Sequence, residues 1–407
     1  MASGVSRTRR GAWESFRYSA PVIYLDNAAS TRPAPEVLAA TRAVEEAFFA
    51  NPSSAHGLGA AAARALEAAR AQVAGALGAA ANEIVFTSGG TEANALGVLG
   101  AARAARGRHV VIGGLEHPAV ARTAERLARE GHVLTVVPPG RDGVVAAADL
   151  VAALRPDTGV VALMLVNNEL GTLQPVAELA LALATRRKPE RPHLHVDAVQ
   201  AFGFLRLRPA ALGADTLALS GHKIHGPKGA GALWVRPGAR LEALWDGGRQ
   251  ERGLRSGTEN VAACVGLGRA AALAVEAQDA GAAEAIERER DRLEREALAA
   301  VPGARRTVEG APRAPHIASL AFPGLPAEPL LHALEARGVY ASAGSACASR
   351  TRGPSAVLKA IGVGEELGVL RFSLARTTTA DDVDGAVDAL RGAVEEISPL
   401  AKRTGRR

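Results

Sequence analysis

The sequence predicts an α/β fold: a large, mostly parallel seven-stranded sheet layered with helices, followed by a smaller α+β unit. Three observations predict it. Between Asn82 and Val235, short β-branched runs recur between longer Ala/Leu-rich segments, the alternation of a parallel sheet covered by helices. After about Ala270 that alternation gives way to a long charged helix and two separated strands. The length, 407 residues, suits two unequal units better than one ordinary domain.

Taken in order, residues 1–20 hold Arg7, Arg9, Arg10 and Arg17 against one acid, Glu14. Their Arg-rich character resembles an organelle transit peptide, but the segment reads as a disordered bacterial extension. Residues 21–270 are expected to form the large unit, the first of them packing on the small one, and residues 271–407 the small unit. Strands are expected at Glu83–Thr87, His109–Gly113, Val133–Val137, Val160–Val166, His193–Asp197, Asp215–Leu219 and Gly231–Val235. Each ends in residues able to present chemistry at a strand's carboxyl end. The small unit is expected to contain a helix at Ala282–Ala299, a strand near Ile317–Phe322, a helix near Glu328–Ala336 and a strand at Leu370–Leu374. The Ser-, Gly- and Ala-rich stretch Ala341–Ser355 has no periodic apolar face and reads as an exposed loop with Cys347 in its middle.

Composition narrows the function classes. Hydrophobic content is 48% with only 3% aromatic, so Ala, Val and Leu must fill the core. The net charge of +6 is spread along the chain, with no basic stripe interleaved with aromatics, which argues against direct nucleic-acid binding. Two cysteines, Cys264 and Cys347, cannot build a structural zinc site or hold an iron–sulfur cluster alone, so no metal is expected and a reducing compartment is the natural home. No apolar run reaches membrane-spanning length and no signal-peptide core is present, so the expectation is a soluble, cytoplasmic protein. Lysine is rare: Lys188, Lys223, Lys228, Lys359 and Lys402 are all there are.

Lys223 lies in Ser220-Gly-His-Lys-Ile-His-Gly-Pro-Lys-Gly229, just after a predicted strand, where Gly and Pro imply a shaped turn. Pro227 stands where a nucleotide phosphate loop requires lysine, which excludes that motif. Asp197 ends the strand before, placed to pair with a protonated pyridine nitrogen such as that of pyridoxal phosphate, with Gln200 one helical step on. Either residue alone has an ordinary reading, a solvated lysine or a helix cap. Together they read as a Schiff-base lysine and its ring partner. The run Thr87-Ser-Gly-Gly-Thr-Glu-Ala-Asn94 puts Gly90 and Thr91 at a helix start suited to a phosphate. His117, following another strand, is placed to stack on the ring and shuttle protons. Cys264 lies in an apolar run and reads as packing, whereas the flanks of Cys347 are too polar for that role.

Read in order, these segments resemble class V of the aspartate-aminotransferase-like, fold type I, pyridoxal-phosphate-dependent transferases, and within it the cysteine desulfurases that supply sulfur for iron–sulfur clusters. The resemblance runs from about Tyr24 to Thr379. It includes Leu25-Asp-Asn-Ala-Ala29, Asn51-Pro-Ser-Ser54 with His56, Ser88-Gly-Gly-Thr91, Asn167-Asn-Glu-Leu-Gly171, His195-Val-Asp-Ala-Val-Gln200, Ser220-Gly-His-Lys223, Arg255-Ser-Gly-Thr-Glu-Asn260, Gly344-Ser-Ala-Cys347 and Arg371-Phe-Ser373.

The resemblance implies pyridoxal 5'-phosphate on Lys223, His117 stacked on its ring, Asp197 and Gln200 holding the ring, and Thr91, Ser220 and His222 holding the phosphate. It implies that Thr258 reaches the phosphate of a second subunit in a homodimer, that Asn168 and Arg371 bind L-cysteine, and that Cys347 takes the sulfur as a persulfide. The Gly-Ser-Ala-Cys form resembles the first of the family's two groups, whose members commonly pass sulfur to a scaffold protein; a tRNA-thiolation relay and a DNA-sulfur pathway are the other classes of acceptor left open. Arg350 and Arg352, or His117, are candidates to activate the thiol. Arg249 and the lengthened connection around Arg186–Arg191 depart from the family pattern, as does the short basic tail after Leu400. Selenocysteine lyase and class V aminotransferase are the rival activities, and a non-catalytic binding protein with this fold is the rival class.

Overall fold

The computed structural model describes residues 22–186, 191–344, 355–364 and 367–404. The chain opens with strand β1 (Ile23–Tyr24), then helices α1 (Pro35–Ala47) and α2 (Gly57–Leu77). Pro35 sits in the first turn of α1, where its missing N–H costs nothing. His56 caps α2, its Nδ1 accepting from the Gly59 N–H at 3.2 Å. Strand β2 (Ile84–Thr87) leads into α3 (Gly90–Ala95), which runs through a π turn, Leu96–Gly100, into α4 (Ala101–Ala104).

Next come β3 (His109–Gly113), α5 (Pro118–Arg129), β4 (Val133–Val137), α6 (Ala147–Ala152), β5 (Thr158–Met164), α7 (Val176–Ala184), β6 (His193–Asp197), β7 (Thr216–Ser220) and β8 (Gly231–Val235). The sheet order is β2-β8-β7-β6-β5-β3-β4, and only β8 runs against the others. These are the seven expected strands. Four have the expected limits, and β5 starts and ends two residues early. The reason is local: Val166 leaves the ladder to bridge Leu173, while the Leu165 carbonyl accepts from the Gln174 N–H at 2.9 Å. The inner strands are buried along their length, as a doubly covered parallel sheet requires, and β4 is the half-exposed edge.

After the sheet, α8 (Val261–Asp279) runs unbroken across residue 270 and packs on α1 and α2, closing one face of the sheet. Contrary to the expectation from sequence, it is apolar and long enough to cross a membrane by length and composition; more than half of it is buried, which is the pattern of a core helix. Then follow α9 (Ala282–Ala300), β9 (Arg305–Arg306), β10 (Ile317–Pro323), α10 (Ala327–Glu335), β11 (Val339–Tyr340), α11 (Ala356–Ala360), β12 (Leu367–Ser373) and α12 (Ala380–Thr404). Strands β12, β10 and β9 form a second, antiparallel sheet, against which α9, α10 and α12 bury their own apolar core. Strand β1 pairs in parallel with β11, and Leu25 is part of this second core. The chain's first described residues thereby join the two units, at the carboxyl edge of the large sheet.

Candidate functional site

Strands β3, β6 and β7 run parallel and end at one edge, so whatever follows them meets in one place. A cavity of about 210 Å³ opens there. Gly90, Thr91, His117, Asn168, Asp197, Gln200, Ser220, His222, Lys223 and Arg371 all line it, together with Ala28, Ala29 and Asn94.

Lys223 emerges from a 3-10 turn, Gly221–Lys223, directly after β7. Its Nζ donates to the carbonyl oxygens of Ala28 at 2.6 Å and Ala29 at 2.8 Å. Asp197 is buried at the end of β6; its Oδ2 accepts from Asn94 Nδ2 at 2.7 Å and its Oδ1 from the Val199 N–H at 3.0 Å. Burial raises its carboxyl above the usual range, against the opposing pull of His117, the Val199 amide, Asn94 and Lys223. His117 caps α5, with Nδ1 accepting from the Ala119 N–H at 3.1 Å, which leaves the neutral ring's proton on Nε2. Burial lowers its pKa; the charge of Asp197 opposes that fall and Lys223 adds to it. His222 is likewise pushed down to about 4 by burial and the neighbouring lysines. The histidines of this pocket are therefore neutral at pH 7.

Gln200 is held at both ends, its Nε2 donating to the Ala28 carbonyl at 2.8 Å and its Oε1 facing His316 Nε2 at 3.3 Å. His316 itself is stacked on Phe204 with ring centroids 3.6 Å apart. Ser220 Oγ is buried with no hydrogen-bond partner among the described residues. A buried hydroxyl left unpaired is costly, and a phosphate oxygen would remove the cost. Ser220 stands beside Gly90, where the helical run from α3 to α4 starts, so the residues present fit a phosphorylated cofactor.

On the opposite wall, Arg371 is nearly fully buried on β12. Its Nη1 donates to the Asn168 carbonyl at 2.8 Å and its Nη2 to Asp26 Oδ1 at 2.6 Å, while Nε is buried without a partner among the described residues. Asp26 was not among the residues expected here, although it lies inside the motif Leu25-Asp-Asn-Ala-Ala29. A substrate carboxylate would be the second anion on this guanidinium, not the first.

Thr258 is exposed and does not line its own chain's pocket. Cys347 lies outside the described residues, as do Arg350 and Arg352. Cys264 is buried in the large core, where burial pushes its thiol up to about 12. Sequence reasoning also missed Asn94, Glu116, Glu169, His195 and His316. Asn94 and His195 sit within quoted motifs, but Asn94 serves Asp197, while His195 serves Asn94 from outside the cavity, and no spacing announces that.

The class-V aminotransferase family model matches residues 23–385. The chain is 39% identical over 386 residues to the cysteine desulfurase IscS of Methanosarcina thermophila, covering 94% of each chain. It is 43% identical over 384 residues to a cysteine desulfurase of Cereibacter sphaeroides, covering 93% of this chain and 97% of that one. Among solved structures, a NifS-like protein superposes with a TM-score of 0.85 at 34% identity, covering 92% of this chain and all (100%) of the other. DndA from Streptomyces lividans superposes with a TM-score of 0.71 at 36% identity, covering 86% of this chain and 99% of that one. Matched along nearly its whole length in sequence and in fold, the chain belongs to the class-V aminotransferases and, within them, to the cysteine desulfurases.

Proposed function

We propose that the protein is a soluble, cytoplasmic homodimer that binds pyridoxal 5'-phosphate at Lys223, takes sulfur from L-cysteine onto Cys347, and passes it to an acceptor protein for iron–sulfur cluster assembly or thio-modification. The observation that carries this reading is the convergence of Lys223, Asp197, His117, Asn168 and Arg371 on one cavity, beside the unpaired hydroxyl of Ser220. Asp197 and Gln200 would hold the cofactor's ring, His117 would stack on it, and Gly90, Thr91, Ser220 and His222 would hold its phosphate. Thr258, exposed and outside its own chain's pocket, would reach the pocket of a second copy. Bound here, pyridoxal phosphate would act as an electron sink for bond breaking at the substrate's α-carbon.

The chain's own residues do the rest. Arg371 and Asn168 fix the substrate carboxylate, which sets the direction of the side chain. Lys223 Nζ takes the α-proton, and His117, neutral with its proton on Nε2, is poised to donate or accept. The Cys347 thiolate attacks the substrate sulfur: the sulfur–sulfur bond forms as the carbon–sulfur bond breaks, and the carbon takes up a proton. L-cysteine and a thiol thus become L-alanine and a persulfide, with no outside oxidant. The test is Cys347→Ser. The variant should keep its yellow colour and its L-cysteine-induced spectral change, yet make no persulfide; undiminished sulfur release would overturn the role of Cys347.

A further inference from the structure

Behind Asp197 lies a chain of side chains to which the mechanism above gives no task. Asn94 Nδ2 donates to Asp197 at 2.7 Å, and Asn94 Oδ1 lies 2.8 Å from His195 Nε2. His195 Nδ1 lies 2.9 Å from Thr216 Oγ1, which lies 2.8 Å from His193 Nε2. His195 and Thr216 are fully buried, at 0% exposure, so water cannot substitute for the bond between them.

The direction of every proton follows by elimination. Both Asp197 oxygens already accept, one from Asn94 and one from the Val199 amide, so the carboxylate is the terminal acceptor. With its NH2 turned to Asp197, Asn94 offers only its carbonyl to His195, so His195 must carry a proton on Nε2. The neutral ring then accepts on Nδ1 from the Thr216 hydroxyl, whose lone pair accepts from His193 Nε2–H. Burial keeps both rings neutral: His195 is held down to about 3, with His193 adding a little, and His193 to about 4. Asp215, Arg191 and Arg236 are the charged groups facing His193. The ring of His195 is clamped as well, because a Cβ on Gly97 would lie 2.2 Å from its Nδ1. Gly97 belongs to the π turn that interrupts the helix from α3 to α4, which brings bare backbone against the imidazole.

We propose that His193, Thr216, His195 and Asn94 are positioning residues, a hydrogen-bond relay of one fixed direction that presents Asp197 as a fully oriented acceptor to the cofactor's ring nitrogen. The inference rests on the reading of this cavity as a pyridoxal phosphate site. Such relays act through the group they orient, so their loss shows in cofactor affinity as well as in stability.

The test uses the full-length protein with 15N-labelled histidine. In the wild-type apoprotein, long-range 1H–15N spectra should show the His195 proton on Nε2, the resonance being assigned by its loss in His195→Gln. Thr216→Val keeps the side chain's shape and removes the hydroxyl. It should leave the His195 proton on Nε2, where the Asn94 carbonyl holds it, but shift the Nδ1 nitrogen resonance, which loses its hydrogen bond, and weaken pyridoxal phosphate binding about tenfold, the worth of one hydrogen bond. Thr216→Ser should restore both. The relay is overturned by a wild-type His195 protonated on Nδ1, or by Thr216→Val with an unchanged Nδ1 resonance and unchanged cofactor Kd. A wild-type protein that takes up no pyridoxal phosphate would instead overturn the cofactor assignment itself, and the relay's purpose with it.

Discussion

The floor and the rim of the pocket are built in opposite ways. The floor stands on the ends of parallel strands: His117 follows β3, Asp197 closes β6 and Lys223 follows β7, held in turn by the Ala119 amide, by Asn94 and the Val199 amide, and by the Ala28 and Ala29 carbonyls. The rim joins segments that are far apart in the chain. Arg371 on β12 reaches Asp26, 345 residues away, and Ser355 Oγ donates to Glu169 Oε2 at 2.5 Å across 186 residues. The backbone of Ser342 exchanges bonds of 3.1 and 2.7 Å with that of Arg371. Gly344 has φ +117°, and a Cβ there would lie 3.3 Å from Glu169 Oε2 and 3.6 Å from Ser355 Cβ. The described residues flanking 345–354 thus meet at Glu169, beside Asn168. The floor is preorganised by the paired strands that carry it, whereas the rim's far-apart segments are tied by one backbone pair and by single side-chain contacts.

If that contrast is right, losses at the floor should abolish chemistry and losses at the rim should separate binding from sulfur transfer. The largest effect is expected from Lys223→Ala: alanine formation should fall about 10³-fold or more, the range of a lost general base, and borohydride should no longer trap the cofactor on the chain. Residual turnover near the wild-type rate would break the comparison at its base.

Next comes Arg371→Ala. Removing a charge-assisted contact to the carboxylate should raise KM for L-cysteine about 100-fold, with a smaller loss in kcat. Arg371→Lys should recover little of it, because an ammonium cannot span both Asp26 and the Asn168 carbonyl in the manner of a planar guanidinium. Steady-state kinetics on the two variants decide the matter; a fall in kcat with KM unchanged would put Arg371 in the floor's class.

A smaller effect is expected at the stems. Ser355 donates to Glu169 and accepts from the Leu358 N–H at 3.2 Å, so it also caps α11. Ser355→Ala should slow persulfide formation about tenfold at saturating L-cysteine, from the loss of one cap and one charged hydrogen bond. Glu169→Gln, which keeps an acceptor, should lie near wild type. Rapid-quench measurement of the Cys347 persulfide against the cofactor's spectral change tells slowed transfer from weakened binding.

The same contrast decides what could be read from the residues in order. Strand ends are visible because β-branched runs such as Val133–Val137 and His193–Asp197 stop where turn residues begin, and the chemistry then sits one or two positions on. Asp197, Lys223 and His117 were found that way, whereas Ser220 came only with the family resemblance, and the cavity gathers all four. Asp26 and Glu169 were not, since an ion pair between positions 26 and 371 has no periodicity and no spacing rule. His195 was hidden for another reason: it alternates with Val196 like any inward strand residue, and only the packing of Gly97 against its ring shows its partner.

The smallest effect on turnover is expected from a group that neither floor nor rim displays. Glu116 precedes His117 and is buried beside Asp197; its Oε1 accepts from the Met164 N–H at 2.6 Å and its Oε2 has no partner among the described residues. Burial, and then the charge of Asp197, push this carboxyl up to about 8, so it is protonated at pH 7 while Asp197 is the acceptor. A folded-state pKa above the unfolded one means that the folded chain binds the proton more tightly. The stability this confers is fully present below the ordinary carboxylate range and is lost as pH rises through about 8. Glu116→Gln has the shape of the protonated acid and cannot ionise. Its turnover at pH 7 should stay within about threefold of wild type, the worth of one neutral hydrogen bond at most. Between pH 6 and pH 9.5 the wild type should lose more stability than the variant, by about 1 kcal/mol or more per unit of the pKa difference crossed. Thermal unfolding at a series of pH values measures the gap; parallel curves for the two proteins would show that Glu116 is already ionised in the fold, and that the pocket floor carries two carboxylates rather than one.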